Sequence, residues 1–227
     1  MAGVETVLFD KIMANPLKST VMEGAAFARE NGCDFIIALG GGSVMDASKA
    51  IAAMATNGGD LWDYIGAYLA RAVKDGSDME AREHVAFANT LSGVVMTLSG
   101  CTSEHSMEHA MSAYHHELPH GAGLIMISKE YFTHFVKNHA CDERFVRMAH
   151  ALGMKETKEP MDFITALVKL QEECGVADLK MSDYGIMPEE FMTLAKNARA
   201  TMGGLYFCDR VPMSDEECAA IFEKAYR

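Results

Sequence analysis

Residues 33–52, CDFIIALGGGSVMDASKAIA, decide how the rest of this chain is read. After Asp34, positions 35–39 are uninterruptedly apolar, the pattern of a strand buried on both faces of a parallel sheet. Gly40, Gly41 and Gly42 end that run. Ser43 then opens a helical stretch to about residue 55, with Asp46 three positions on to complete a capping box. Backbone N–H groups at such a helix start, with no side chains in front of them, suit a phosphate or pyrophosphate. The same glycines also permit nothing more than a tight strand-to-helix turn. The pattern is neither GxGxxG nor a P-loop, so spacing leaves both readings open.

Outward from this turn, residues 4–9 form a short β-type run. Residues 17–30 have helical spacing, with Val21, Ala25 and Ala28 on one side. The result is a β-α-β-α unit whose two strands make a marginal sheet. Parallel sheets have both faces covered, so this part reads as an incomplete sheet, either completed by a partner chain or shortened from a larger fold. Beyond residue 78 the pattern holds no strand. Helical faces recur at 79–99, 121–136, 143–152, 160–174 and 188–202, and Ser214 with Glu217 forms a capping box for a last helix. The expected fold is an α/β N-terminal nucleotide-binding portion with an incomplete parallel sheet, followed by an all-α C-terminal metal-binding domain. The boundary falls between 1–67 and 68–227, joined through residues 58–77.

Composition narrows the function. The 32 acidic residues outnumber 20 basic ones, a formal charge of −12. Such a surface repels nucleic acid and anionic membrane, so neither is expected as a partner. The six cysteines are scattered without a CxxC, which predicts free thiols in a reducing compartment. Residues 1–13 lack the basic start and apolar run of a signal peptide, and no apolar stretch approaches the roughly 20 residues of a membrane helix. A cytoplasmic protein is expected.

The other chemistry-bearing stretch is EHSMEHAMSAYHHELPH, residues 104–120, which holds five of the nine histidines. His105, Glu108 and His109 spell H-x-x-E-H, the pattern of inverted-motif zinc peptidases, in which Glu108 would be the general base. His105 and His109 are four apart and share a helix face, so they can meet one metal ion. A polar helix with no metal fits the same residues. His115 and His116 read as solvent-exposed turn residues.

These stretches together resemble one family. The 33–52 run is similar to the nucleotide-binding signature of iron-containing (group III) alcohol dehydrogenases, which have a dehydroquinate-synthase-like fold. Asn15-Pro16 upstream and GDLWDYIG at 59–66 resemble further family segments. LSGCTSEHSMEHAMSAYHHELPHGAGLIM, 98–126, resembles the family's metal-binding segment, and 162–186 and 194–204 resemble its helical domain. The resemblance implies that Asn15, Gly41, Gly42, Ser43 and Asp46 meet NAD or NADP. It implies that His105 and His120 hold Fe²⁺ (or Zn²⁺), while His109 lines the substrate pocket and Glu108 takes no part. The implied reaction is reversible hydride transfer between NAD(P) and a small-molecule alcohol or aldehyde.

The chain also departs from the family. No Asp-x-x-x-His precedes His105, so two of four metal ligands have no counterpart, and the family's Pro-Thr-Thr and Gly-Thr-Gly-Ser-Glu segments are missing. The departures imply an internally deleted, N-terminally shortened member with impaired activity. As alternatives, the chain is a non-catalytic remnant acting as an oligomerisation module, or a zinc metallopeptidase. A homo-oligomer, or association with a related chain, is expected.

Overall fold

Helices supply every regular element among the residues that this computed structural model describes, 5–13, 18–40, 42–56 and 63–227. They run as α1 Lys18–Glu30, α2 Gly42–Thr56, α3 Asp63–Lys74, α4 Met79–Ser99, α5 Ser103–Tyr114, α6 His120–Lys137, α7 Asp142–Ala151, α8 Asp162–Glu173, α9 Phe191–Met202 and α10 Asp215–Ala225. Short 3₁₀ turns lie at Met181–Tyr184, Pro188–Glu190 and Gly203–Cys208. None of the helices is long and apolar enough to cross a membrane.

The chain divides into two compact units, one of residues 1–64 with 83–99 and the other of 65–82 with 100–227. In the first, α1 packs on α2. Val21, Ala25 and Ala28 recur at the period of one helix face and are buried, as are Ala47, Ala50, Ile51 and Met54 of α2. The small residues let the two backbones approach. A Cβ on Gly24 would lie 2.6 Å from Ile51 Cδ1. The Arg29 guanidinium donates to the Met54 carbonyl, one of the last-turn acceptors that α2 cannot satisfy itself.

The expected parallel sheet is not found among the described residues. Positions 35–39 carry neither helix nor strand, and Phe35, Ile37 and Leu39 are 56%, 67% and 85% exposed rather than buried. Val7 and Leu8 of the other expected strand are exposed too. A strand exists only through its ladder to neighbours, and two short runs have too few. The segment expected as a linker, 58–77, contains α3.

The second unit has a continuous core. α5 packs on α9, α6 and the 203–208 turn, α10 on α9 and α6, and α8 on α6 and α7. Met107, Met111, Ile127, Met181, Leu194 and Phe222 are wholly buried within it. Each such side chain contributes about 1.5–3 kcal/mol. The Arg71 pairs with Asp78 and Glu80 lie at the surface, where an ion pair adds about 0–1 kcal/mol, so the core holds this unit together. The capping box of α10 forms as its sequence indicates, Ser214 Oγ accepting from Glu217 N at 3.2 Å and Glu217 Oε2 from Ser214 N at 2.8 Å. Gly175, at φ +69°, closes α8 in the left-handed conformation that glycine adopts freely.

Gly66 sits where α3 meets the end of α7. A Cβ there would lie 2.2 Å from the Ala151 carbonyl oxygen, a backbone atom that cannot swing aside. Replacing a helical glycine by alanine ordinarily gains about 1 kcal/mol. Here Gly66→Ala is expected to lose about 1–3 kcal/mol through overpacking, read as a lower urea midpoint. A raised midpoint would show that this approach is not tight.

Candidate metal centre

Helix α5 is built to present a polar face at one end of a packed helix. Ser106, Met107, Ala110 and Met111 are buried, and Ser106 Oγ donates to the Met202 carbonyl at 2.9 Å, closing the end of α9. Thr102, at the N-cap, makes no side-chain cap bond. Asp209 from the far end of the chain replaces it, its Oδ1 accepting from Ser103 N and from the Tyr131 hydroxyl, each at 3.1 Å. Asp209 Oδ2 is buried without a hydrogen-bond partner. The start of α5 is therefore held by tertiary contacts.

His105 and His109 lie one turn apart on α5, and His120 opens α6 after Pro119, whose ψ of 134° sets the chain direction at the N-cap. The loop between them is anchored. Leu118 is buried, and His115 Nε2 lies 3.2 Å from Glu190 Oε1. His115 is thus half-buried and paired, not the exposed turn residue expected from sequence, while His116 is exposed. The return brings the His120 ring to 5.3 Å from that of His105 and 5.2 Å from that of His109. One ring nitrogen from each of the three lies within 4.8 Å of the others. Among the described residues, no other group of three or more histidine, cysteine or carboxylate side chains reaches that spacing.

The donor chemistry fits a divalent transition metal. Three imidazoles suit Fe²⁺ or Zn²⁺, and three protein ligands with open positions match catalytic rather than structural sites. His109 and His120 are exposed and His105 half-buried, which leaves one side of the cluster open to solvent. Burial pushes His105 below its ordinary pKa, reinforced by the neighbouring His120 and His109. It is therefore neutral near pH 7, the form that binds metal.

Glu108 has an environment that the sequence did not announce. It is wholly buried, and its two carboxylate oxygens contact His120 Nδ1 and Ser112 Oγ. The available signal was a carboxylate placed between Met107 and Ala110, on the apolar face of an amphipathic helix. The expected nucleotide-side residues are less defined. Asn15 and Gly41 lie outside the described residues. Gly42, Ser43 and Asp46 fall in the first two turns of α2.

Comparison with known proteins gives a consistent picture. A family model described as iron-containing alcohol dehydrogenase matches residues 1–117. The 1,3-propanediol dehydrogenase of Klebsiella pneumoniae is 22% identical across 99% of this chain and 84% of its own length. That alignment runs over 333 positions, more than the 227 residues here, so the relative carries stretches with no counterpart in this chain. A probable NADH-dependent butanol dehydrogenase of Bacillus subtilis is 48% identical over 65 residues, 29% of this chain and 15% of its own. Among solved structures, an archaeal halo-thermophilic alcohol dehydrogenase from a Red Sea brine pool matches with a TM-score of 0.67 at 25% identity. It covers 99% of this chain and 85% of that one.

Next to the cluster, burial pushes the Glu104 carboxyl from 4.5 up to about 8. Between those values the folded chain keeps a proton that the unfolded chain releases, so stability falls as pH rises through that window. Glu104→Gln is expected to remove this part of the slope, stabilising the protein at pH 8 more than at pH 5 in urea unfolding. An equal effect at both pH values would contradict the assignment.

Proposed function

The chain belongs to the iron-containing alcohol dehydrogenase family, and from that premise we propose that it is an NAD(P)-linked, metal-dependent oxidoreductase acting on a small alcohol and its aldehyde. The observation that carries this reading is the convergence of His105, His109 and His120 on one point. His105 and His120 hold the metal. His109, which the sequence reading assigned to the substrate pocket, is near enough to serve as a third ligand. With three imidazoles in reach, this centre is less depleted than the two ligands expected from the family comparison.

When bound, Fe²⁺ or Zn²⁺ supplies Lewis acidity toward the substrate oxygen, and NAD(P) supplies or accepts the hydride. The chain's own residues bind and orient. The exposed side of the histidine cluster admits a small alcohol. His105, kept neutral by burial, offers a lone pair at neutral pH. In the other unit, the α2 start at Gly42 supports a pyrophosphate site, since a helix N-terminus carries free N–H donors and a positive dipole end. The stretches without counterpart support weaker turnover than in a full-length relative.

The oligomerisation-module reading is favoured by one observation, the bare apolar side chains of Phe35, Ile37 and Leu39. It predicts a mixed oligomer with an intact relative, and no metal in the isolated chain. The dehydrogenase reading predicts about one Zn²⁺ or Fe²⁺ per chain in equilibrium dialysis. His105→Ala and His120→Ala should each weaken that binding at least tenfold. NADH consumption with butyraldehyde is then expected to depend on the added metal. A wild-type chain that takes up no metal would overturn the dehydrogenase reading in favour of the module.

A further inference from the structure

Glu108 stands out among the groups the proposed chemistry leaves unused. A carboxylate wholly removed from solvent is costly unless its acceptors are paired, and an apolar residue at this position of α5 would pack against the core at no such cost. Its oxygens meet two donors only a helix turn or a loop away. Oε1 accepts from Ser112 Oγ, and Oε2 contacts His120 Nδ1. A carboxylate only accepts, so the His120 Nδ1 carries the proton. The opposite helix makes room for this group. Gly123 of α6 is buried, and a Cβ there would lie 2.7 Å from Glu108 Cγ and 3.0 Å from Oε1. Glycine inside a helix costs about 1 kcal/mol relative to alanine, so the site retains a carboxylate at the expense of both helices.

We propose that Glu108 is the positioning residue of the metal centre, a buried carboxylate that accepts the His120 Nδ1 proton, locks the ring in place and directs Nε2 to the metal. The proposal rests on the histidine-cluster reading above and deepens it. Three neutral imidazoles leave a divalent cation uncompensated. Glu108 places a carboxylate directly behind one ligand, the arrangement by which outer-shell groups orient a metal-binding imidazole. Ser112, one turn further along α5, fixes the carboxylate in turn. Glu108 is absent from the convergent ligand group itself, which separates this arrangement from direct coordination. It also separates it from the peptidase reading, in which Glu108 faces the attacking water. In this fold Glu108 has no exposure to water at all.

Two measurements on the full-length chain test it. In metal-free protein with ¹⁵N-labelled histidine, and with His120→Ala to assign the resonance, His120 is expected as the Nδ1–H tautomer. Glu108→Gln retains an acceptor and should keep that tautomer, whereas Glu108→Leu should lose it. In Zn²⁺ competition against a chromophoric chelator, Glu108→Leu is expected to weaken binding 10–100-fold. Glu108→Gln and Ser112→Ala should cause smaller losses. Gly123→Ala, which touches no ligand but displaces the carboxylate, should also weaken binding. His116→Ala, in the exposed turn, should change nothing. If Glu108→Leu does not fold, Ser112→Ala and Gly123→Ala carry the same comparison. A His120 tautomer of Nε2–H in the wild type would overturn the proposal. So would metal affinity within threefold of wild type in Glu108→Leu, Ser112→Ala and Gly123→Ala alike. A wild-type chain that binds no Zn²⁺ but shows the Nδ1–H tautomer would overturn the metal reading while leaving the Glu108–His120 contact established.

Discussion

The contact between Glu108 and His120 joins the two helices that carry the histidines. α5 is long enough to bring His105 and His109 to one face, but His120 comes from the next helix and must be returned to that face. Several features enforce the return. Leu118 is buried in the loop, His115 is paired with Glu190 of the 188–190 turn, and Gly123 lets α6 approach the carboxylate. Asp209 fixes the start of α5 from the other end of the chain. The position of the three imidazoles thus rests on contacts drawn from several elements of the helical unit.

The first unit illustrates the opposite situation. α1 and α2 form a close pair through small residues, and α2 begins at Gly42. Phe35, Ile37 and Leu39 of the apolar run before it lie exposed instead of buried. Hydrophobicity of Phe35, Ile37 and Leu39 is a property of sequence, whereas a strand is a property of its neighbours. The family relative extends over alignment positions for which this chain has no residues. Strand-forming sequence without strand partners gives exposed apolar surface.

Much of the helical part was legible. The 79–99 pattern matches α4 to the residue, the bounds expected for α1, α2 and α6–α9 agree within three positions, and the α10 capping box appears with both reciprocal hydrogen bonds. These features depend on contacts within four residues, so local pattern suffices. α3 was missed because its segment looked like a linker, and its Gly66 is explained only by the Ala151 carbonyl lying against it. His115 looked like a solvated turn residue because nothing near it in sequence announces Glu190.

Sequence alone determined that His105 and His109 share a helix face, because four residues make one turn. With the family resemblance it also pointed to His120 as their partner. Whether His109 stands beside His120, and where the Glu108 side chain lies, depended on how α6 folds back over α5. Spacing placed Glu108 beside the histidines but could not say that it turns inward, away from water, to meet His120 from behind. That was settled by burial, a tertiary property: the same H-x-x-E-H pattern serves a solvent-facing base or a buried hydrogen-bond acceptor according to what packs against it.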